Sequence, residues 1–345
     1  MSASREKRGP IVVAGTSVKA GQRLTIDLSV ADLYTHSSLP MPVQVIHGRR
    51  DGPVLFVTAA VHGDELCGVE ILRRLLRRKS INALRGTLIA VPIVNVHGFI
   101  DNSRYLPDRR DLNRSFPGSP SGSLAGRVAH VIASEIITLA DFGIDLHTGA
   151  VHRANLPQIR ADLDDEQTFA LAKAFGAPVI LDSETRDGSL REHASKLNVP
   201  TLLYEAGEAL RFDEASIRGG VRGVLNIMRT IGMLGEAKTA SEPITPVVAE
   251  SSRWVRAPTS GIVQVRARLG DTVESGQPVA TVSDPFGETE QDIPSPMTGV
   301  VIGRSNLPVA HEGEALLHIA TIDNKRSAAL AVARFRERQQ TVAPA

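Results

Sequence analysis

The stretch Val54-Leu55-Phe56-Val57-Thr58-Ala59-Ala60-Val61-His62-Gly63-Asp64-Glu65 decides the fold. Residues 54–61 form an apolar run broken only by one threonine. It is too short for an ordinary buried helix and lacks strict alternation, which is the pattern of a strand covered on both faces. A polar turn follows, and over residues 65–78 Leu66, Val69, Ile71, Leu72, Leu75 and Leu76 recur at helical spacing. A buried strand feeding a helix is one unit of an α/β sheet, where ligands gather at the carboxyl ends of the strands.

The same alternation extends in both directions. Strand-like runs at residues 87–94, 141–146, 178–181 and 201–204 alternate with helical patterns at 124–139, 165–175, 190–197 and 215–233. Upstream, residues 11–50 read as short strands of an edge layer, ending in Val43-Gln44-Val45-Ile46-His47 before the turn Asp51-Gly52-Pro53. The expected fold class is α/β: a mostly parallel, mixed sheet with helices on both faces, filling residues 1–240. Residues 235–250 lack a clear period and read as a linker. Beyond it, Ala257-Pro258-Thr259-Ser260-Gly261-Ile262-Val263 is echoed by Ser295-Pro296-Met297-Thr298-Gly299-Val300-Val301. Two similar halves predict a small all-β sandwich over residues 250–325. It resembles a biotinyl or lipoyl carrier domain, but no lysine falls between Ser251 and Asn324, so a carrier role is not expected. Residues 328–338 read as a closing helix.

A chain of 345 residues exceeds what one core usually serves, which agrees with two domains. Formal net charge is +1 and aromatic content 4%, so neither a basic field nor a stacking platform argues for nucleic acid. The basic patch Arg73, Arg74, Arg77, Arg78 and Lys79 reads as a solvated helix face. The polar N-terminus, Met1 to Pro10, lacks the apolar core of a signal peptide, and no segment approaches a membrane span. With Cys67 as the one cysteine, a reducing, cytoplasmic location is the expectation.

Three clusters carry candidate chemistry. His62 and Glu65 lie three apart where a strand end meets a helix start, a spacing that alone is a common accident. His147, at the end of another strand, completes two histidines and a carboxylate, the ligand set of a catalytic zinc with an open corner. Asp145, two residues earlier on the same strand face, either accepts a bond from a ligand histidine or sits in water. A second cluster, Arg104-Tyr105 and Asp111-Leu112-Asn113-Arg114-Ser115-Phe116-Pro117-Gly118, reads as a binding loop. There an arginine fork and Asn113 suit a carboxylate, or the arginines simply pair at the surface. In Tyr204-Glu205-Ala206-Gly207-Glu208, Glu205 continues the strand and is the preferred general base, with Glu208 read as exposed.

Together these motifs resemble the succinylglutamate desuccinylase and aspartoacylase family of the zinc carboxypeptidase clan, over most of the chain. His62, Glu65 and His147 match its His-x-x-Glu and distant His, Asp111 to Arg114 its Asp-Leu-Asn-Arg, and Glu205 with Gly207 its Glu-x-Gly. The resemblance implies a zinc-carboxypeptidase-like fold, one Zn2+ per chain, and hydrolysis of an N-acyl amino acid or related peptide-like amide. It implies further that Glu205 and Arg104 are catalytic, with Arg104 polarising the scissile carbonyl. Asn113 and Arg114 would grip a substrate carboxylate, Arg191 would be a further substrate-binding arginine, and the β-domain would cover the site mouth. A metallocarboxypeptidase or esterase with the same site, a non-catalytic binding protein, and a homo-oligomer all stay open.

Overall fold

The computed structural model of the chain describes residues 8–32, 35–236 and 244–340. In its first part, β1 (Arg23–Asp32), β2 (Ser38–His47) and β3 (Arg50–Ala59) lead into α1 (Cys67–Leu76) and β4 (Arg85–Val91). Next come α2 (Leu124–Glu135), β5 (Phe142–Gly149), β6 (Arg153–Ala161), α3 (Glu166–Phe175), β7 (Val179–Asp182), α4 (Leu190–Lys196), β8 (Thr201–Glu208) and α5 (Glu214–Thr230). Across the sheet the order is β6-β8-β5-β3-β4-β2-β1. Strands β8, β5, β3 and β4 are parallel, so their carboxyl ends share one edge, while β6, β2 and β1 add antiparallel flanks.

Strand β3 shows why the opening stretch is apolar on both sides. Leu55, Val57 and Ala59 join the core made with α1, α3 and α5, whereas Phe56 joins the opposite core with α2 and α4. Both faces are covered, as the sequence pattern requires. Helix starts are set locally: Ser123, Asp165, Ser189 and Asp213 each accept a hydrogen bond from a backbone N–H in the first turn of the helix that follows.

Some boundaries differ from expectation. The run at 201–204 continues to Glu208, so Glu205 lies inside β8, and His147 lies inside β5. Helix α1 begins only at Cys67, which leaves Glu65 in the turn. Strand β6 is not in the sequence reading at all: Asn155, Pro157, Gln158 and Arg160 interrupt its apolar pattern, and tertiary pairing on β8 outweighs propensity. Within the expected linker, residues 237–243 lie outside the described residues, as does most of the expected polar N-terminus, residues 1–7. The linker's far end is the strand β9 (Val247–Ala249), parallel to β7.

Besides the two-residue strands Thr272–Val273 and Val309–Ala310, the strands that follow are β10 (Ser252–Arg256), β11 (Gly261–Val265), β12 (Pro278–Ser283), β13 (Glu290–Pro294), β14 (Gly299–Ser305) and β15 (Ala315–Thr321), closed by α6 (Lys325–Gln340). Strands β10, β15 and β14 extend the main sheet, because Gly303, Arg304 and Ser305 of β14 pair with Asn155, Ala154 and Arg153 of β6. The result is a 13-stranded sheet. Strands β11, β12 and β13 belong to a separate four-stranded antiparallel sheet, and Val263, Val282, Ile293, Val301, Leu317 and Ile319 fill the space between the two. Ala328 and Val332 of α6 seal the seam against Leu181, Val300 and Ile302. The basic patch lies on an outer helix face with none of its five residues buried, and Arg73 and Arg74 pair with Glu70 while Arg74 also reaches Glu214. Among the described residues no helix is long and apolar enough to cross a membrane.

Candidate active site

The carboxyl edge of the parallel strands collects the expected residues. Past the end of β3 the chain turns sharply at His62-Gly63-Asp64-Glu65, where a Cβ on Gly63 would fall 2.0 Å from the carbonyl carbon of Gly98. Only glycine permits that approach. The turn brings Glu65 Oε1 to 2.7 Å from His62 Nδ1, and Glu65 Oε2 to 2.8 Å from His147 Nδ1. One ligand-type atom from each of these three buried residues lies within 4.8 Å of the others.

The far side of each ring is held by an acid. His147 donates from Nε2 to Asp145 Oδ2 at 2.7 Å, and Asp145 Oδ1 accepts from the Thr58 hydroxyl at 2.8 Å. His62 donates from Nε2 to Asp111 Oδ1 at 3.0 Å. With both Nε2 atoms committed to carboxylates, loss of the Nδ1 protons to an incoming cation would leave Nδ1 lone pairs facing the centre, the arrangement a metal-binding histidine needs. Burial opposes charge on His62, but Glu65 and Asp111 outweigh it and raise its pKa. Burial likewise opposes charge on His147, and Asp145 with Glu65 lifts it well above the ordinary histidine value. Burial alone would raise Glu65, yet the two imidazoles hold it well below the usual carboxylate range. The cluster thus attracts positive charge, supplied either by protons on the rings or by a cation between them.

Arg104 bridges the acids, with Nη1 at 3.3 Å from Glu65 Oε1 and Nη2 at 3.1 Å from Asp111 Oδ2. Asp111 is therefore a site residue that the sequence offered only as the first letter of a motif. Two residues on, Asn113 donates its backbone N–H to Asp111 Oδ1 and is buried, and its side-chain oxygen accepts from Leu190 N at 2.9 Å. That bond ties the Asp111–Arg114 segment to the start of α4, which carries Arg191. Arg114 bonds to the Asn113 carbonyl and packs its backbone against Gly188. Arg191 is buried, donates from Nη2 to the carbonyls of Ser183 and Glu184, both at 2.7 Å, and leaves Nη1 without a hydrogen bond. Burial, then Arg160, pushes its pKa down to about 10.

Glu205 reaches the site by strand register. It sits opposite His147 on β5 and opposite Gln158 on β6, so all three side chains leave the same face of the sheet. Its carboxylate meets Arg160 on β6, with Oε2 at 2.6 Å from Nε. Two residues on, Gly207 has φ of +79°, and a Cβ there would lie 3.2 Å from Asp213 Cβ and 3.3 Å from Cys67 Sγ, which accounts for the glycine in Glu-x-Gly. Sequence reasoning missed Arg160; its signal was the two-residue spacing from Gln158 along a strand not recognised as one.

A mixed sheet with helices on both faces, carrying a buried His-Glu-His cluster at the carboxyl ends of its parallel strands, defines an α/β protein with a candidate mononuclear metal centre. Residues 51–231 match the succinylglutamate desuccinylase/aspartoacylase catalytic domain. The chain is 33% identical over 261 residues to the N-alpha-acetyl-L-2,4-diaminobutyric acid deacetylase of Halomonas elongata, covering 71% of this chain and 74% of that one. It belongs to the succinylglutamate desuccinylase/aspartoacylase family. Two solved structures share the fold at 24% identity. The product-bound ectoine utilization protein EutE (DoeB) of Ruegeria pomeroyi has a TM-score of 0.80, over 91% of this chain and 100% of that one. A succinylglutamate desuccinylase/aspartoacylase from Rhodobacter sphaeroides has a TM-score of 0.76, over 87% and 95%.

Proposed function

We propose that the protein is a zinc-dependent hydrolase that cleaves the amide bond of an N-acyl amino acid. The observation that carries this is the meeting of His62, Glu65 and His147 within 4.8 Å, with Glu205 in register beside His147 on the next strand. The donor set fits zinc: two Nδ1 atoms, one carboxylate, and an acid behind each ring to set its tautomer. When bound there, the ion supplies an acidified water and an electrophile for the carbonyl.

The chain's own groups do the rest. Glu205 takes the proton of the attacking water and delivers it to the departing amine. The Arg104 guanidinium faces the charge that builds on the carbonyl oxygen. Arg114 and the Asn113 amide hold the substrate carboxylate, and Arg191 Nη1, buried without a partner, offers one more donor to an anion. The diaminobutyrate deacetylase relative, itself a deacylase of an N-acetyl amino acid, supports this reaction type.

The test is a panel of N-acetyl and N-succinyl amino acids, short peptides and esters given to zinc-loaded protein, with amine release as readout. Glu205→Gln is expected to keep one zinc per chain while kcat falls by about 10²- to 10⁴-fold. His147→Ala is expected to lose the zinc. Wild-type turnover by the first variant, or full zinc content in the second, would overturn these assignments.

A further inference from the structure

Glu205 is not alone on its face of the sheet. Arg160 stands opposite Leu203 in the β6–β8 ladder and Glu205 opposite Gln158, so the two charged residues are diagonal neighbours, within reach of long side chains. Their charged atoms meet at 2.6 Å, with the side chains only 17% and 20% exposed. The approach lies outside hydrogen-bond angles, which leaves the buried Arg160 Nε with no hydrogen bond of its own. The nitrogen therefore depends on the Glu205 charge for compensation, and losing either partner strands the other.

The surroundings make this pair more than a strand-to-strand ornament. Exposed ion pairs are worth little and constrain little, but here the electrostatic neighbours are also cationic. Burial, then Arg114 and Arg160, lowers the Arg186 pKa, and burial, then Arg160, lowers that of Arg191, so guanidinium charge is concentrated on this side of the sheet. Among these guanidinium groups, Arg160 is the one paired with Glu205. His318 of β15, on the same 13-stranded sheet, stacks on Trp254 with ring centroids 4.3 Å apart, and burial, then Arg160 and Arg186, lowers its pKa.

We propose that Arg160 is a positioning residue for Glu205: its guanidinium, reaching diagonally from β6, selects the carboxylate orientation that serves the His62–Glu65–His147 centre. The inference rests on Glu205 being the general base. Arg160 acts through Glu205 and not on the substrate, so its removal lowers kcat and leaves KM nearly unchanged.

The experiment is a double-mutant cycle on full-length, zinc-loaded protein, using the N-acetyl amino acid of highest kcat/KM in the panel above. Arg160→Met is expected to lower kcat by about 10- to 100-fold, with wild-type zinc content, and Arg160→Lys to recover part of the loss. In a Glu205→Gln background, Arg160→Met is expected to cost nothing further. A crystal structure of zinc-loaded Arg160→Met is expected to show the Glu205 side chain in a different rotamer. An additive double variant, a raised KM at constant kcat, or an unmoved Glu205 overturns the positioning role while leaving the base assignment standing. Should Glu205→Gln turn over normally while Arg160→Met does not, both fall.

Discussion

His318 shows how a single side chain in the second half of the chain registers the charge of the first. Burial, then the nearby Arg160 and Arg186, lowers its pKa from 6.5 to about 3. Its ring is 5% exposed, bonds through Nε2 to Ser252 Oγ at 2.8 Å, and leaves Nδ1 without a partner. A histidine whose folded pKa is depressed binds fewer protons native than unfolded, so stability is complete above 6.5 and declines as pH falls toward 3. From near pH 7 to near pH 4 the loss is on the order of 3 kcal/mol, at about 1.4 kcal/mol per unit. Urea unfolding of His318→Phe at those two pH values is expected to show a markedly smaller drop than wild type, and an equal drop would remove the claim. The ligand candidates were legible in the sequence because their types and order are restrictive: His62, Glu65 and His147 do meet, and Asp145 does hold His147. Asp111 and Arg160 were not, because an acid in a loop or an arginine on a strand becomes informative only once a partner stands beside it.

Elements explain why the site residues arrive where they do. The turn between β3 and α1 carries two ligand candidates, and its path depends on Gly63 passing against the Gly98 backbone, where no side chain fits. Gly63→Ala must therefore push the turn away from Gly98. It is expected to lower zinc content and melting temperature together while the helical circular dichroism persists; wild-type zinc occupancy would mean that this close approach is dispensable. Periodicity revealed β3, β4, β5 and β8 because strands buried on both faces read as apolar runs. It was silent on β6, whose Gln158 and Arg160 occupy the site face and so break the pattern that would announce the strand. The polar residues that hid the element are the ones that make it part of the site.

On the scale of the whole molecule, the segment read from sequence as a second domain shares a sheet with the first. Strand β14 pairs with β6, Asn306 donates to Glu208 Oε2 at 3.0 Å, and α6 packs across the seam. The repeat within residues 257–301 signalled the β-rich half, but no local pattern discloses which edge a strand will join, since that is decided by the unpaired edge it meets. The two halves are thus built on one sheet, and the proposed chemistry rests on the His62–Glu65–His147 cluster holding a metal. Anomalous diffraction at the zinc edge from crystals grown with one equivalent of zinc tests this most directly. The expected result is a single strong peak per chain about 2 Å from His62 Nδ1, His147 Nδ1 and a Glu65 oxygen; a map with no peak between those three side chains would contradict it.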